Sequence, residues 1–378
     1  MATETPEVSG VATAAFEPLR AEFAAVLDAD PGHAAQLAVH LHGRLVVDLW
    51  GGPDIQGDSL TGVFSSTKGI AFLVAALLVR RGQLDVTREV RSYWPEFAAE
   101  GKGGISVHDL LAHRAGSIGT EDGFTREELA DDAAIADRLA GHHPYWHPGR
   151  AFGYHSLTVG ALTGEIVRRI TGRSLRALYD EEIRGPLGVD FHLGLPEAEE
   201  RRLRTILPAP PGEPGASEPA GPPDGIAGIA GNRHRGDAPT VLHELPNSRR
   251  FRAGGQSSAG GVASARGLSR LYAAAVTGVD GAEPLLDEAT ARLCGLPYSV
   301  GHDLVLDMRR AYGLGFMVGF PHLPAGTFGH DGAGGSVALA SPSTGLAFGY
   351  TRRVFAGGSA PEADRLAAVA HACALRAG

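Results

Sequence analysis

Ser65 and Lys68, three positions apart, form the strongest chemical signal in the sequence. A serine hydroxyl is a poor nucleophile until a neighbouring base removes its proton, and a lysine does so once burial lowers its pKa. The i, i+3 spacing places both side chains on one face of a helix, and the apolar run 70–79 predicts that this helix is buried. Because a helix N-terminus favours an anion, the pair predicts covalent acyl transfer to Ser65.

Lysine is rare in this chain, which makes Lys68 more informative. Lys68 and Lys102 are the two lysines among 34 lysines and arginines, and arginine cannot act as a base because its guanidinium stays protonated. A purely structural explanation also exists, in which Ser65 and Ser66 cap the helix and Lys68 is a solvated residue of its first turn. The motif alone leaves both explanations open.

A second group of candidates, Tyr154-His155-Ser156, precedes an amphipathic helix. A phenol beside a lysine ammonium is held partly as phenolate, so Tyr154 would relay protons between Ser65, the leaving group and the incoming water. The alternative explanations are a core tyrosine and a helix cap at Ser156.

Glycines follow His330 and Asp331 on a predicted strand near the C-terminus, in the run Gly332-Ala333-Gly334-Gly335. Glycine permits close approach of the backbone to a ligand, and a tight bulge would explain the same residues equally well. The run lacks the spacing and the strand-to-helix context of a phosphate loop or a dinucleotide fingerprint. We therefore predict no nucleotide site and no cofactor.

Metal chemistry and the α/β-hydrolase mechanism fit the sequence less well. His142, His143 and His147 suggest a metal site, but Pro144 breaks the helix that would align the imidazoles, and no carboxylate completes the set. The chain also lacks the Gly-x-Ser-x-Gly elbow of the α/β-hydrolases. No metal ligand is therefore predicted.

Composition and charge indicate a small-molecule partner. With 378 residues, 43% of them hydrophobic, the chain can bury a large core and hold about two or three domains. A net charge of -9 disfavours nucleic acid, because phosphate binding needs a concentrated basic surface. We expect a small ester or acyl substrate and no nucleic acid, and the oligomeric state stays open.

Three features predict a cytoplasmic location. Residues 1–7 carry acid where a signal peptide needs basic residues. The apolar run 70–79 is about half as long as a membrane span requires, so no membrane partner is expected. Cys294 and Cys373 are isolated, which suggests neither a disulfide framework nor a zinc site and fits a reducing compartment.

Strand-like segments lie near both ends of the chain, with helical segments between them. Short β-branched runs predict strands at 35–41, 44–49, 312–318, 326–331, 335–341 and 345–352. Helical spacing of apolar residues predicts helices at 16–27, 67–79, 108–113, 126–140, 156–171, 174–183 and 361–374.

This order of elements favours an α/β (α+β) fold. We expect an antiparallel sheet built from both termini, flanked by N- and C-terminal helices, with a mostly helical domain inserted in the middle. The predicted domains are a discontinuous sheet domain, 1–80 and 250–378, and a helical domain, 81–249, with a cleft between them. Within the helical domain, the Pro- and Gly-rich stretch 208–224 predicts a long loop, either a linker or a lid or pocket wall.

Taken together and in order, these motifs resemble the class C β-lactamase and DD-peptidase superfamily, in particular its family VIII esterase branch. Ser65 and Lys68 match the family's Ser-x-x-Lys, Tyr154 matches the tyrosine of Tyr-x-Asn, and 330–332 lies where Lys-Thr-Gly would fall. Flanking stretches at 105–116, 186–196 and 258–266 look similar too, and the resemblance covers roughly residues 15–375. It implies a β-lactamase/transpeptidase-like fold.

The resemblance also implies a mechanism. Ser65 would form an acyl-enzyme that water resolves, while Lys68 and Tyr154 share the proton transfers and either one is the formal base. The oxyanion would lie between the backbone N–H groups of Ser65 and Ala333.

Two departures from the family pattern favour neutral esters over β-lactams. Ser156 replaces an asparagine that contacts the acyl-side amide, and His330-Asp331 replaces a lysine that holds the substrate carboxylate. An Asp331 that faces the cleft would repel a carboxylate ligand. We therefore predict hydrolysis of small carboxylic esters. The alternatives are acyl transfer to another acceptor, β-lactamase or D-aminopeptidase activity, and a non-catalytic binding protein.

Overall fold

A computed structural model describes residues 8–212, 221–358 and 360–377. Across these ranges the strands are β1 (Ser9–Ala12), β2 (Ala35–Leu41), β3 (Arg44–Gly51), β4 (Thr61–Gly62), β5 (Phe191–Leu193), β6 (Gly261–Ala263), β7 (Ser299–Asp303), β8 (Met308–Tyr312), β9 (Met317–Val318), β10 (Phe328–Asp331), β11 (Val337–Ser341) and β12 (Leu346–Arg352). The α-helices are α1 (Glu17–Ala29), α2 (Lys68–Arg80), α3 (Val107–Leu111), α4 (Asp132–Gly141), α5 (Val159–Thr171), α6 (Leu175–Tyr179), α7 (Ile226–Ala230), α8 (Arg249–Gly254), α9 (Ala265–Val276), α10 (Glu288–Gly295) and α11 (Pro361–Ala377).

The main sheet joins the two ends of the chain. Its strand order is β1-β3-β2-β12-β11-β10-β9-β8-β7, and neighbouring strands are antiparallel. N-terminal β2 pairs with C-terminal β12, with Leu37 opposite Tyr350. The predicted α/β fold with an antiparallel sheet is therefore confirmed. A small second sheet, β4-β6-β5, lies beside the start of α2.

Helices cover both faces of the main sheet. On one face α1 and α11 pack together, and Phe23 and Leu366 share an apolar cluster with Phe348 of β12. On the other face lie α9 and the core that contains α2. Because α2 is apolar on all sides, it is stable only when it is enclosed, and it packs against α5, α6 and β10. The predicted buried helix thus lies between the sheet and the inserted helices.

Some predicted elements have different bounds. The strand expected at 312–318 is two strands, β8 and β9, because a turn with Gly315 at φ 82° separates them. The helix expected at 126–140 is interrupted, since Asp131 adopts extended backbone angles and its carboxylate caps a new helix, α4. Strands β1 and β7 were not predicted, because short segments that contain glycine and polar residues carry a weak strand signal.

The predicted division into two domains stays a prediction. The β4-β6-β5 sheet combines two strands of the predicted sheet domain, β4 and β6, with one strand of the predicted helical domain, β5. Residues 213–220 of the predicted loop, and residues 1–7, lie outside the described residues, so the choice between linker and lid stays open. In the described part of the chain, no helix is long and apolar enough to cross a membrane.

Candidate active site

The backbone presents Ser65 at the start of α2. A 3-10 turn, Phe64–Thr67, leads into the helix, and Phe64 has a left-handed φ of 47°, which a bulky residue adopts only when packing holds it there. From Ser59 to Leu78 every residue is buried except Ser65, which is partly exposed. The fold therefore buries the whole segment and leaves one hydroxyl accessible.

Lys68 is fully buried, and its amine contacts that hydroxyl. Lys68 Nζ lies 3.1 Å from Ser65 Oγ, 2.7 Å from the Ser156 carbonyl oxygen and 3.0 Å from the Ser258 carbonyl oxygen. Burial lowers the pKa of Lys68 well below its ordinary 10.5, and the charge of Asp331 offsets a smaller part of that shift. The solvated first-turn lysine considered above is therefore wrong.

Ser66 does not cap the helix either. Its hydroxyl donates to the His330 carbonyl oxygen at 3.3 Å and shares a hydrogen bond with Ser336 Oγ at 2.9 Å. The N-cap residue of α2, Thr67, makes no side-chain capping bond to the helix. The hydroxyl groups at the start of α2 instead join it to the sheet.

Tyr154 lies over the amine of Lys68. The Nζ atom is 4.7 Å from the centre of the Tyr154 ring, and the residue is 7% exposed. Burial raises the pKa of Tyr154 well above 10, and a hydrogen bond with Ser65 offsets only part of that rise. The phenol is therefore neutral, and the partial phenolate expected from the sequence is disfavoured.

His330 and Asp331 lie on opposite faces of β10, because side chains alternate along a strand. His330 is buried; its ring nitrogen Nε2 lies 3.5 Å from the Tyr154 hydroxyl. Burial lowers the pKa of His330 well below 6.5, so the ring is neutral. Asp331 instead forms an ion pair with Arg310 at 3.6 Å and lines a cavity of about 470 Å³ that Asp364 also lines.

Both residues of this pair bear on the preference for neutral esters. Asp331 forms an ion pair with Arg310 at 3.6 Å, and its Oδ1 atom lies 3.8 Å from His330 Nδ1. The repulsion of a substrate carboxylate by Asp331 stays a prediction. His330 is neutral and supplies no positive charge for a carboxylate.

Close packing explains the glycines after Asp331. A Cβ at Gly332 would lie 2.4 Å from the Val63 carbonyl oxygen, and a Cβ at Gly334 would lie 2.3 Å from the Phe64 ring. The turn thus approaches the segment before Ser65, and Ala333 packs against the apolar cluster that contains Phe64. These glycines allow the turn to pack closely against Val63 and Phe64, so no ligand is needed to explain them.

The same turn carries the predicted second oxyanion donor. In the three described ranges, no hydrogen bond outside regular helices and strands uses the backbone N–H of Ser65 or that of Ala333. Ala333 is partly exposed, as Ser65 is. The assignment of these two N–H groups as oxyanion donors stays a prediction.

Ser156 contributes its backbone rather than its side chain. The N-cap of α5 is Thr158, so Ser156 is not the helix cap considered from the sequence. Its carbonyl oxygen accepts from Lys68, as does that of Ser258, which we did not predict as a site residue. Backbone acceptors leave no residue-type signal, and the one pointer to Ser258 was the flanking stretch 258–266.

Two buried histidines, to which the sequence analysis assigned no role, lie behind Tyr154. The ring centres of His113 and Tyr154 are 5.1 Å apart, and His113 Nδ1 accepts from the backbone N–H of His155 at 3.1 Å. Burial lowers the pKa of His113 well below 6.5 and that of His155 to about 4. Both rings are thus neutral and form an uncharged wall behind the phenol.

The histidines that suggested a metal site, and the two cysteines, are not among the residues that contact Ser65 or Lys68. His142 Nδ1 bonds to the His143 carbonyl oxygen and His147 Nδ1 to that of Pro148. Among the residues described, no cluster of His, Cys, Asp and Glu has a geometry suited to a metal. Cys294 and Cys373 are buried free thiols.

Comparison with known proteins agrees with this fold. The β-lactamase family model matches residues 22–372. The esterase/β-lactamase LipL of Mycobacterium tuberculosis (strain ATCC 25618 / H37Rv) is 33% identical over 375 residues, covering 90% of this chain and 82% of LipL. The structure of EstA from Arthrobacter nitroguajacolicus Rue61a superposes with a TM-score of 0.91 at 42% identity, covering 98% of this chain and all of EstA. A family VIII carboxylesterase superposes with a TM-score of 0.87 at 29% identity, covering 97% of this chain and 100% of the carboxylesterase chain.

A Ser-x-x-Lys pair with an accessible serine and a buried lysine, at the start of a central helix beside an antiparallel sheet, is typical of the serine β-lactamase and DD-peptidase superfamily, and the chain belongs to the β-lactamase family. It is a β-lactamase-related serine hydrolase.

Proposed function

We propose that the protein hydrolyses small carboxylic esters through an acyl-enzyme on Ser65. The observation that carries this proposal is the 3.1 Å contact between a fully buried Lys68 amine and a partly exposed Ser65 hydroxyl. The names of LipL and of the family VIII carboxylesterase, both of which span most of this chain, support the ester class.

The charge states support Lys68 as the formal base. A buried amine with a lowered pKa is neutral often enough to accept the Ser65 proton, whereas a buried phenol with a raised pKa keeps its own. Tyr154 is then a neutral hydrogen-bond donor beside the nucleophile. In this role Tyr154 donates its own proton to the leaving group and accepts a proton from the Lys68 ammonium in return.

The reaction balances in two halves. In acylation, Lys68 takes the Ser65 proton, Oγ bonds to the ester carbon, and the N–H groups of Ser65 and Ala333 hold the oxyanion. The intermediate expels the alcohol, which takes the proton from Lys68 directly or through Tyr154. In deacylation, Lys68 takes a proton from water, the hydroxide adds to the acyl carbon, and Ser65 leaves with that proton.

The first test compares a short-chain p-nitrophenyl ester with a chromogenic cephalosporin. We expect kcat/KM for the ester to exceed that for the cephalosporin by at least about 100-fold, because neutral His330 gives the cephalosporin carboxylate no cation. Initial rates of both reactions, each corrected for the Ser65→Ala background, measure the ratio. A cephalosporin rate equal to or above the ester rate would overturn the ester preference.

A second test addresses the turn that holds Ala333. Gly334→Ala places a Cβ 2.3 Å from the Phe64 ring, so the turn and the segment before Ser65 must move apart. We expect kcat for the ester to fall at least about tenfold, because an oxyanion donor is displaced, together with a loss of ~1–3 kcal/mol in the free energy of unfolding.

Gly141→Ala is the matched control for this change. A Cβ at Gly141 meets nothing within 4 Å, so this variant should keep the wild-type kcat. Steady-state kinetics and denaturant unfolding of both variants give the comparison. An unchanged kcat in Gly334→Ala would show that the turn does not position a catalytic group.

A further inference from the structure

The Ser258 carbonyl has a specific consequence for the chemistry of Lys68. A neutral amine has two N–H bonds and one lone pair, in roughly tetrahedral directions about the nitrogen. The carbonyl oxygens of Ser156 and Ser258, at 2.7 Å and 3.0 Å from Nζ, accept the two N–H bonds. The lone pair is then left to face the third neighbour, Ser65 Oγ, at 3.1 Å. The two carbonyls thus orient the base towards the nucleophile.

Both carbonyls lie in turns outside the helices and strands. Ser156 belongs to the turn that leads into α5, and Ser258 belongs to a turn within the segment 256–260. An irregular segment keeps a carbonyl within a few tenths of an ångström only if other groups fix its backbone. The bonds that hold 256–260 therefore decide where the lone pair of Lys68 faces.

Asp132 supplies two of those bonds from a separate helix. Its carboxylate accepts from the Ser257 backbone N–H at 3.1 Å and from the Ser257 hydroxyl at 2.5 Å. Because Ser257 directly precedes Ser258, bonds to its N–H and its hydroxyl restrict the backbone that leads to the Ser258 carbonyl. Gln256 also holds this segment: its side chain donates to the Leu157 carbonyl oxygen and accepts from the N–H groups of Ser258 and Ala259. From α5, the Gly160 N–H donates to Ser258 Oγ.

Helix capping does not account for this carboxylate. The N-cap of α4 is the neighbouring Asp131, whose side chain accepts from the Ala133 N–H at 2.9 Å. Asp132 is partly buried, and burial raises the pKa of its carboxyl group from 3.8 to about 6. Partial desolvation of a carboxylate that caps no helix is unfavourable, so its bonds to Ser257 need an explanation.

We propose that Asp132 is a positioning residue for the reaction: through Ser257 it holds the Ser258 carbonyl where that carbonyl orients the Lys68 lone pair towards Ser65. The inference rests on the proposed function of Ser65 and Lys68. It adds a residue about 65 positions from the nucleophile that touches neither the substrate nor the reacting atoms.

The test measures acylation directly. In Asp132→Ala we expect the rate constant of the p-nitrophenol burst to fall about 10- to 100-fold, because the base is misdirected. The dissociation constant Ks, obtained from the dependence of the burst rate constant on ester concentration, should stay within about twofold because the substrate site is unchanged. Asp132→Asn should recover most of the loss. Its amide oxygen can accept from the Ser257 N–H, and its amide N–H can donate to the Ser257 hydroxyl.

Asp131→Ala is the matched control, because it removes a carboxylate at the next position. It loses a helix cap worth ~1 kcal/mol and should lower the stability without changing the burst rate constant. If Asp132→Ala does not fold, Ser257→Ala serves as the test, because it removes the bond between the Ser257 hydroxyl and Asp132. We then expect a lower burst rate constant than in Asp131→Ala, and an equal one would overturn the positioning role.

The outcomes separate this inference from the proposed function. If the wild type releases no p-nitrophenol above the Ser65→Ala background, or if a burst survives in Ser65→Ala, the proposed function itself fails. If the wild type turns over without a burst, acylation is rate-limiting and kcat supplies the acylation rate constant for the same comparison. With a Ser65-dependent burst in the wild type, a rate constant in Asp132→Ala equal to that of Asp131→Ala overturns the positioning role. A reduced rate constant that Asp132→Asn does not restore overturns it as well, since loss of the hydrogen bonds would not be the cause.

Discussion

Ser65→Ala is expected to abolish covalent labelling by a fluorophosphonate probe and to lower kcat for ester hydrolysis by at least about 10⁴-fold. The physical reason is that no other hydroxyl takes its place. From Ser59 to Leu78 Ser65 is the one residue that is not buried, and the adjacent Ser66 hydroxyl bonds to the His330 carbonyl oxygen and Ser336. Gel fluorescence after probe treatment and p-nitrophenol release measure the two effects.

Ser66→Ala is the matched control for labelling. It removes a neighbouring hydroxyl and keeps Ser65, so the label should remain even though the start of α2 loses its bonds to the sheet. Circular dichroism of both variants confirms that they are folded. A Ser65→Ala protein that is still labelled stoichiometrically would remove Ser65 from the mechanism.

Lys68→Arg is expected to lower kcat by at least about 10³-fold. A guanidinium cannot accept the Ser65 proton, because it does not lose its own. The change also forces a larger, permanently charged group into a fully buried site, so we expect lower stability as well. Steady-state kinetics and thermal unfolding measure the two effects separately.

The second lysine of the chain provides the control. Lys102 is also buried, and it donates to the Ala99 carbonyl oxygen at 2.9 Å and bonds to that of His142, but none of its bonds reaches Ser65 or Lys68. Lys102→Arg should therefore keep kcat per folded molecule, whatever its effect on stability. A Lys68→Arg variant within about tenfold of the wild-type kcat would exclude Lys68 as the base.

The pH profile gives an independent measure of the same residue. The active form of Lys68 is the neutral amine, so kcat/KM should fall as the pH falls through the Lys68 pKa. Since burial lowers that pKa well below 10.5, the midpoint of the acid limb should lie well below the ordinary lysine value. The residual activity of Lys68→Arg should lack this limb, and a limb that persists would assign it to another group.

Local sequence determined the contact between Ser65 and Lys68 and the fold class. The Ser-x-x-Lys spacing needs only helix geometry to bring Ser65 and Lys68 together, and the apolar run after it needs only hydrophobicity to predict burial. Strand patterns near both termini were sufficient to predict an antiparallel sheet built from the two ends of the chain. These features depend on residues that are near one another in sequence.

The tertiary structure alone decided which distant groups meet at that pair. The carbonyls of Ser156 and Ser258 are 88 and 190 positions from Lys68, and a backbone oxygen is the same in every residue, so composition could not identify them. The opposite directions of His330 and Asp331 depend on the register of β10 against its neighbours, and a shift by one residue would exchange them. Local spacing thus encodes the Ser65–Lys68 pair, whereas the groups that surround the Lys68 amine depend on long-range packing that no short motif records.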